Sequence, residues 1–176
     1  TALHMILTRA HLQYGETVLV NAAGSGVGVA AIQVAKLHGA RVIASAGKTY
    51  AGALRDAGAE VVAYGEGLGE RVTTLAGGPV DLVFDTAPAG VMPELLTTVT
   101  EPSHIVTATD FAALQNLGVR STGMDMRHDV LGDYAELAAQ GRFTVPVAAT
   151  YPLEDWREPL AVSRSGQARG KHVLIP

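Results

Sequence analysis

From Asn21 to Gly39 the chain reads Asn-Ala-Ala-Gly-Ser-Gly-Val-Gly-Val-Ala-Ala-Ile-Gln-Val-Ala-Lys-Leu-His-Gly. Gly24, Gly26 and Gly28 alternate with Ser25 and Val27, and Ala22 and Ala23 precede them. The chemistry open to such a run is the holding of a phosphate. Small residues let the backbone come close to an anion. The first turn of a helix that follows at once offers N–H groups without intrahelical acceptors and the positive end of a dipole. The spacing is not a strict Gly-x-Gly-x-x-Gly. In the six-residue frame that ends at Gly28, Ala23 takes the first glycine position and Ser25 the second. Both are nearly as small as glycine, so close approach survives. Ala23, Gly24, Ser25, Gly26 and Val27 are therefore the candidate anion-binding residues.

A second clue lies where the next apolar run ends. Arg41 to Ala46 reads as a strand and passes into Gly47-Lys48-Thr49-Tyr50 without an Asp or Glu. In a fold that binds NAD, an acid at this place would hold the ribose hydroxyls. A gap beside Lys48 suits a 2′-phosphate instead, whose charge an acid would repel. The expected cofactor is NADP(H). The same missing acid argues against S-adenosylmethionine.

Other reactive patterns are lacking. There is no Cys, which excludes disulfides, thiolate metal sites and Cys nucleophiles. The His residues are scattered and form no His-x-x-x-His pair, so no metal site is expected. No Gly-x-Ser-x-Gly elbow occurs, and Tyr134 has Ala138 rather than Lys four residues on. Asp81 and Asp85 flank a strand and read as structural carboxylates. No catalytic residue is named on these grounds. Nicotinamide chemistry does not demand one, because the cofactor carries the reacting hydride.

The elements that must position these residues follow a repeating order. Strands are expected at 17–22, 41–46, 60–64, 80–86, 104–108 and 119–126. Helices are expected at 2–12, 25–38, 50–57, 68–76, near 91–100 and from about 129 to 140. Alternation of strand and helix means an α/β fold with a doubly wound parallel sheet. The strand ends that would line its crevice are 23–27, 46–48, Tyr64, 86–88 and 108–110. After Gly141 the rhythm is expected to stop. A loosely alternating run to Tyr151, a helix from Pro152 to Ser165 and a last strand from Lys171 to Ile175 read as part of another domain. The expected division is 1–141 for the nucleotide-binding domain and 142–176 for the added segment.

Composition agrees. Of 176 residues, 48% are hydrophobic but only 5% aromatic, which fits a core of Val, Leu, Ile and Ala around a buried parallel sheet. The net charge is −4 with no basic patch, which speaks against nucleic acid as a partner. No apolar run reaches the ~20 residues that span a bilayer, so no membrane partner is expected and a reducing cytoplasm is the default location.

Taken in order, several runs resemble one family: Thr1-Ala-Leu-His, Gly15-Glu-Thr-Val-Leu-Val, Ala23-Gly-Ser-Gly-Val-Gly, Ala30-Ala-Ile-Gln-Val-Ala-Lys, Gly39-Ala-Arg-Val-Ile-Ala, Gly58-Ala-Glu-Val-Val and Gly170-Lys-His-Val-Leu-Ile-Pro. The chain resembles the medium-chain dehydrogenase/reductase superfamily, in its zinc-independent, quinone oxidoreductase-like branch. The resemblance implies reduction of a quinone, enone or other activated carbonyl by NADPH. It implies that a GroES-like catalytic domain precedes Thr1, and that residues 142–176 belong to that domain. It assigns Thr1 to the nicotinamide end, Ser25 to Val27 to the pyrophosphate, Gly47, Lys48 and Tyr64 to the adenosine 2′-phosphate, and Ala87 and Ala108 to backbone contacts along the cofactor. One position departs from the pattern: Ala51 stands where the family often has Lys. The resemblance also implies a homodimer joined through the sixth strand, and a chain that binds cofactor without turning over by itself. A non-catalytic nucleotide-binding module, such as a redox sensor or scaffold, is the alternative reading.

Overall fold

The computed structural model describes residues 10–121, 129–166 and 168–176. The chain divides into two compact units, Thr1–Leu131 and Gly132–Pro176.

In the first unit, six parallel strands form one sheet: β1 (Thr17–Asn21), β2 (Arg41–Ser45), β3 (Glu60–Val62), β4 (Leu82–Asp85), β5 (Ile105–Thr107) and β6 (Arg120–Ser121). Their order is β3-β2-β1-β4-β5-β6. This is the doubly wound arrangement expected from the alternation, and it reverses direction between β1 and β4, where such folds open a ligand crevice. The helices are α1 (Gly26–Leu37), α2 (Lys48–Asp56), α3 (Leu68–Ala76), α4 (Met92–Leu96) and α5 (Phe111–Asn116).

The strands alternate sides, as the period of two requires. Val18, Val20, Val42, Ala44, Phe84 and Val106 pack with Ile32 and Ala35 of α1 and Leu54 of α2. Leu19, Ile43, Val83 and Ile105 pack on the other side with Val72 of α3, Leu95 of α4 and Ala113 of α5. The central strands β1, β2, β4 and β5 are thus apolar on both faces, as a sheet covered by two helix layers must be.

Several boundaries differ from expectation for local reasons. Helix α2 starts at Lys48 rather than Tyr50, because Gly47 in extended conformation serves as its N-cap. Helix α4 is only Met92–Leu96 and ends where the Thr98 hydroxyl bonds back to Leu95 O at 2.7 Å, a competition with the helical ladder. Helix α5 was not expected at all. Asp110 caps it by accepting the Ala113 N–H at 3.0 Å. The expected helix at 2–12 falls mostly outside the described residues, and residues 10–12 are not helical. The expected strand at 119–126 is seen as Arg120–Ser121, and 122–126 lie outside the described residues.

The second unit contains α6 (Leu131–Ala139), β7 (Val147–Pro152), α7 (Arg157–Arg164) and β8 (Lys171–Ile175). Here the expected loss of rhythm is corrected. Strands β7 and β8 pair in parallel with α7 between them, so the tail forms one more strand–helix–strand turn in a separate sheet of two strands. A register shift between Val147 and Ala149 breaks the alternation, which is why the run read poorly as a strand. Tyr134 meets Phe143 edge to face, and the Tyr151 hydroxyl lies 3.1 Å from His172 Nδ1. No helix among the described residues is long and apolar enough to cross a membrane.

Candidate functional site

The turn from β1 into α1 is built by small residues for identifiable reasons. A Cβ on Gly28 would lie 2.7 Å from Ala23 Cα and from Ala23 O, so helix and turn touch backbone to backbone. A Cβ on Gly24 would lie 2.8 Å from the ring of Tyr50 in α2. The residue in the left-handed region is Ala22, with φ 58°. It stands one residue before Ala23, the first glycine position of the six-residue frame. A non-glycine residue held there is strained backbone at the crevice.

Ser25 caps α1. Its hydroxyl oxygen accepts the Gly28 N–H at 3.0 Å, and its carbonyl accepts the Val29 N–H at 2.9 Å. The N–H groups of Gly26 and Val27 have no partner among the described residues. These two donors, at the positive end of a helix of 12 residues, are what the turn offers to an anion. Ser25 Oγ also lies 3.3 Å from Thr86 Oγ1, which donates to Asn21 O at 3.1 Å, so the cap is tied to the end of β4.

Along one side of the crevice, Gly47 and Tyr64 meet: a Cβ on Gly47 would lie 3.3 Å from Tyr64 Cε1. Tyr64 is 67% exposed. Lys48, the first residue of α2, is exposed and makes no ion pair among the described residues. The loop that carries Tyr64 is held from two directions. The Arg71 guanidinium donates to Ala63 O, Gly65 O and Glu66 O at 2.9 to 3.2 Å. Glu94 accepts the N–H groups of Gly67 and Gly69 at 2.9 Å each and so caps α3 from a neighbouring helix. Those amides, with Arg71 nearby, hold the Glu94 carboxyl below its ordinary range.

Beneath the crevice runs a row that sequence reading missed. Asn21, Ser45, Asp85 and Thr107 are the last residues of β1, β2, β4 and β5, and all four are buried. Asn21 Nδ2 donates to Asp85 Oδ1 at 2.8 Å, across the switch point between β1 and β4. The Ser45 hydroxyl donates to Asn21 Oδ1, and Ser45 Oγ accepts the Ala22 N–H at 3.2 Å. On the far side the Thr107 hydroxyl donates to Asp85 Oδ2 at 2.9 Å, and the Ala87 N–H donates to Asp85 Oδ1 at 3.0 Å. Burial pushes the Asp85 carboxyl above its ordinary range, against the pull of its three donors, and Asp110 adds to the push. Asp85 is a strand-end carboxylate as the sequence indicated, but it is the centre of a network rather than a turn residue.

The remaining expected residues are placed as follows. Ala87 has its N–H taken by Asp85 and its carbonyl by the Thr109 hydroxyl. The Ala108 N–H bonds Asp85 O at 3.0 Å. Both line the ends of β4 and β5, near the turn. Thr1 lies outside the described residues. Among the described residues no group of three or more His, Cys, Asp or Glu is arranged to hold a metal ion.

Comparison with known proteins agrees with this geometry. A family model described as zinc-binding dehydrogenase matches residues 26–121. The chain is 29% identical over 180 residues to an acryloyl-coenzyme A reductase of Metallosphaera sedula, covering 96% of this chain and 53% of that protein. It is 45% identical over 47 residues to a quinone oxidoreductase of Pongo abelii, covering 27% of this chain and 14% of that one. Among solved structures, an NAD-dependent alcohol dehydrogenase superposes with a TM-score of 0.86 at 30% identity, over 100% of this chain and 55% of that chain. The chain thus spans about half the length of the reductase, and 8% of a highly reducing polyketide synthase of Cladosporium cladosporioides to which it is 28% identical over 201 residues. The zinc in the family's description finds no ligand set among the described residues of this chain.

Proposed function

Because this chain belongs to the zinc-binding dehydrogenase family, within the medium-chain dehydrogenase/reductase superfamily, we propose that it is the NADP(H)-binding portion of an oxidoreductase. The reaction is hydride transfer to a quinone, enone or other activated carbonyl. The observation that carries this reading is the pair of unpartnered N–H groups of Gly26 and Val27, set at the start of α1 beside the β1–β4 switch point. That is where a pyrophosphate sits in such sheets.

The bound nicotinamide supplies the hydride; the chain's own residues bind, orient and exclude water. Gly24 and Gly28 keep the turn low enough for backbone approach. Gly47, Lys48 and Tyr64 form the adenosine rim. Ser45 ends β2 without an acid, so nothing there repels a 2′-phosphate, and the free Lys48 ammonium attracts one. The names of the reductase and the quinone oxidoreductase among its relatives support the substrate class. The proposed homodimer contact is β6, which stands last in the order of the described strands.

Calorimetric titration with NADPH, NADH and S-adenosylmethionine tests the reading. NADPH is expected to bind tightest. Equal or tighter NADH binding removes the NADP preference, and binding of S-adenosylmethionine alone removes the oxidoreductase. Sedimentation of a monomer at micromolar concentration removes the dimer.

A further inference from the structure

The buried row has a direction. The Ala22 N–H donates to Ser45, Ser45 donates to Asn21, and Asn21 donates to Asp85. From the opposite side, the N–H groups of Thr109 and Asp110 donate to Thr107 Oγ1 at 3.3 and 3.1 Å, and Thr107 donates to Asp85. Every hydrogen bond points toward one carboxylate. Each hydroxyl both accepts and donates, and the Asn21 amide has its oxygen toward Ser45 and its nitrogen toward Asp85. Reversing any member would set donor against donor. The row therefore has one self-consistent arrangement, and it joins the backbone of the phosphate turn at Ala22 to the backbone of the β4 and β5 loops at Ala87, Thr109 and Asp110.

An ordinary sheet of this kind needs no such row for its fold. On the same face the residue two places earlier in each strand is Leu19, Ile43, Val83 or Ile105, and apolar packing continues there without interruption. Polar groups replace it only in the last layer under the crevice, where burying them is costly unless every one is bonded.

We propose that Ser45, Asn21, Asp85 and Thr107 are positioning residues that lock the phosphate turn and the β4–β5 rim into one seat, so that dinucleotide affinity is set from below by side chains that do not touch the ligand. This rests on the dinucleotide reading above. Asp85 is the hub, since its two oxygens receive both halves of the row. Thr107 is the informative member, because it lies on β5, two strands away from the Gly26 and Val27 donors.

The test is titration of the full chain with NADPH and NADH, with thermal unfolding measured on each sample. Thr107→Val keeps the shape and removes the hydroxyl; Thr107→Ser keeps the hydroxyl and opens a small cavity. The valine variant is expected to bind NADPH roughly five- to tenfold more weakly, the scale of one internal hydrogen bond. The serine variant is expected to regain affinity although its unfolding temperature falls. Ser45→Ala and Thr107→Val combined are expected to be non-additive in affinity, since the two side chains do not touch and communicate only through Asn21 and Asp85. Affinities that follow unfolding temperature in both Thr107 variants, or an additive pair, overturn the proposal. Wild type that binds neither nucleotide overturns the dinucleotide reading and this proposal with it; wild type that binds, with variants that bind equally, overturns this proposal alone.

Discussion

The proposed phosphate corner, the turn from β1 into α1, and the proposed adenosine rim, Gly47, Lys48 and Tyr64, are built in opposite ways. At the corner, Gly28 touches Ala23 backbone to backbone, and the four polar side chains beneath are buried and bonded in one consistent direction. At the rim, Lys48 is exposed and Tyr64 is two-thirds exposed, resting on a loop whose stability comes from Arg71 and Glu94 behind it. The corner presents backbone donors, which no side-chain substitution other than proline removes directly. The rim presents side chains that can be exchanged with little effect on packing. A fold can therefore keep its hold on a pyrophosphate while its choice of nucleotide changes.

The largest effect that sharpens this contrast is Gly28→Ala. An added methyl would meet Ala23 Cα and O at 2.7 Å, and neither is a flexible chain end that can move aside. We expect a loss of stability at the upper end of the roughly 1–3 kcal/mol seen for overpacked sites, with dinucleotide binding abolished in the fraction that remains folded. Urea unfolding and calorimetry measure both. A variant as stable as wild type would mean that the corner is as tolerant as the rim.

Next is a gain. Ala22 stands at φ 58°, where an L residue is strained and glycine is not. Ala22→Gly is expected to stabilise the chain by about 0.5–1 kcal/mol, the relief of strain less the added freedom of the unfolded chain. A loss of stability would show that the left-handed turn is held without strain, and the corner would not be the strained element described above.

The same two regions show how much of this molecule was legible in the sequence. The glycine turn between β1 and α1 was, because Gly24 and Gly28 answer to sterics that leave few alternatives, and because strand and helix patterns flank them. The doubly wound sheet was implied by the βα rhythm, and the left-handed residue was not singled out because Ala22 carries no glycine to mark it. The buried row escaped for a different reason. Each of its strands ends in apolar–x–polar: Leu19-x-Asn21, Ile43-x-Ser45, Val83-x-Asp85 and Ile105-x-Thr107. The signal is present, but one polar residue closing a strand usually marks nothing more than the strand's end. Only the parallel register, which pairs Asn21 with Asp85 and Asp85 with Thr107, turns four separate endings into a network. Helix α5 was missed because six residues give too little periodicity, although Asp110 before Phe-Ala-Ala-Leu was a usable cap signal. The rim clamps of Arg71 and Glu94 are contacts to loop backbone, which leave no pattern in sequence.

At the rim the effects are smaller. Lys48→Ala is expected to weaken NADPH by less than tenfold, about 1 kcal/mol, since an exposed ammonium is screened by solvent. NADH binding should not change, and neither should the unfolding midpoint. A loss shared equally by both nucleotides would place Lys48 at the pyrophosphate and would merge the two regions.

The smallest effect is the most direct comparison, because the two regions carry carboxylates shifted in opposite directions. Burial raises Asp85 in the folded chain. Its contribution is fully present below the unfolded value, about 3.9 for an aspartate, and is lost as pH rises through the raised folded value. Glu94 is lowered by the amides of Gly69 and Gly67. Its contribution is present above the unfolded value, about 4.3 for a glutamate, and is lost as pH falls through the lowered folded value. Asp85→Asn and Glu94→Gln remove the two titrations singly. Urea midpoints of wild type and both variants, measured from roughly pH 3 to 8 to bracket those values, give two difference curves. The stability of wild type over Asp85→Asn should decline as pH rises. The stability of wild type over Glu94→Gln should decline as pH falls. The second curve should be shallow, because Glu94 is only partly buried and solvent screens it. Curves that slope the same way would mean that the Asp85 donors outweigh its burial, and that corner and rim hold their carboxylates by one mechanism instead of two.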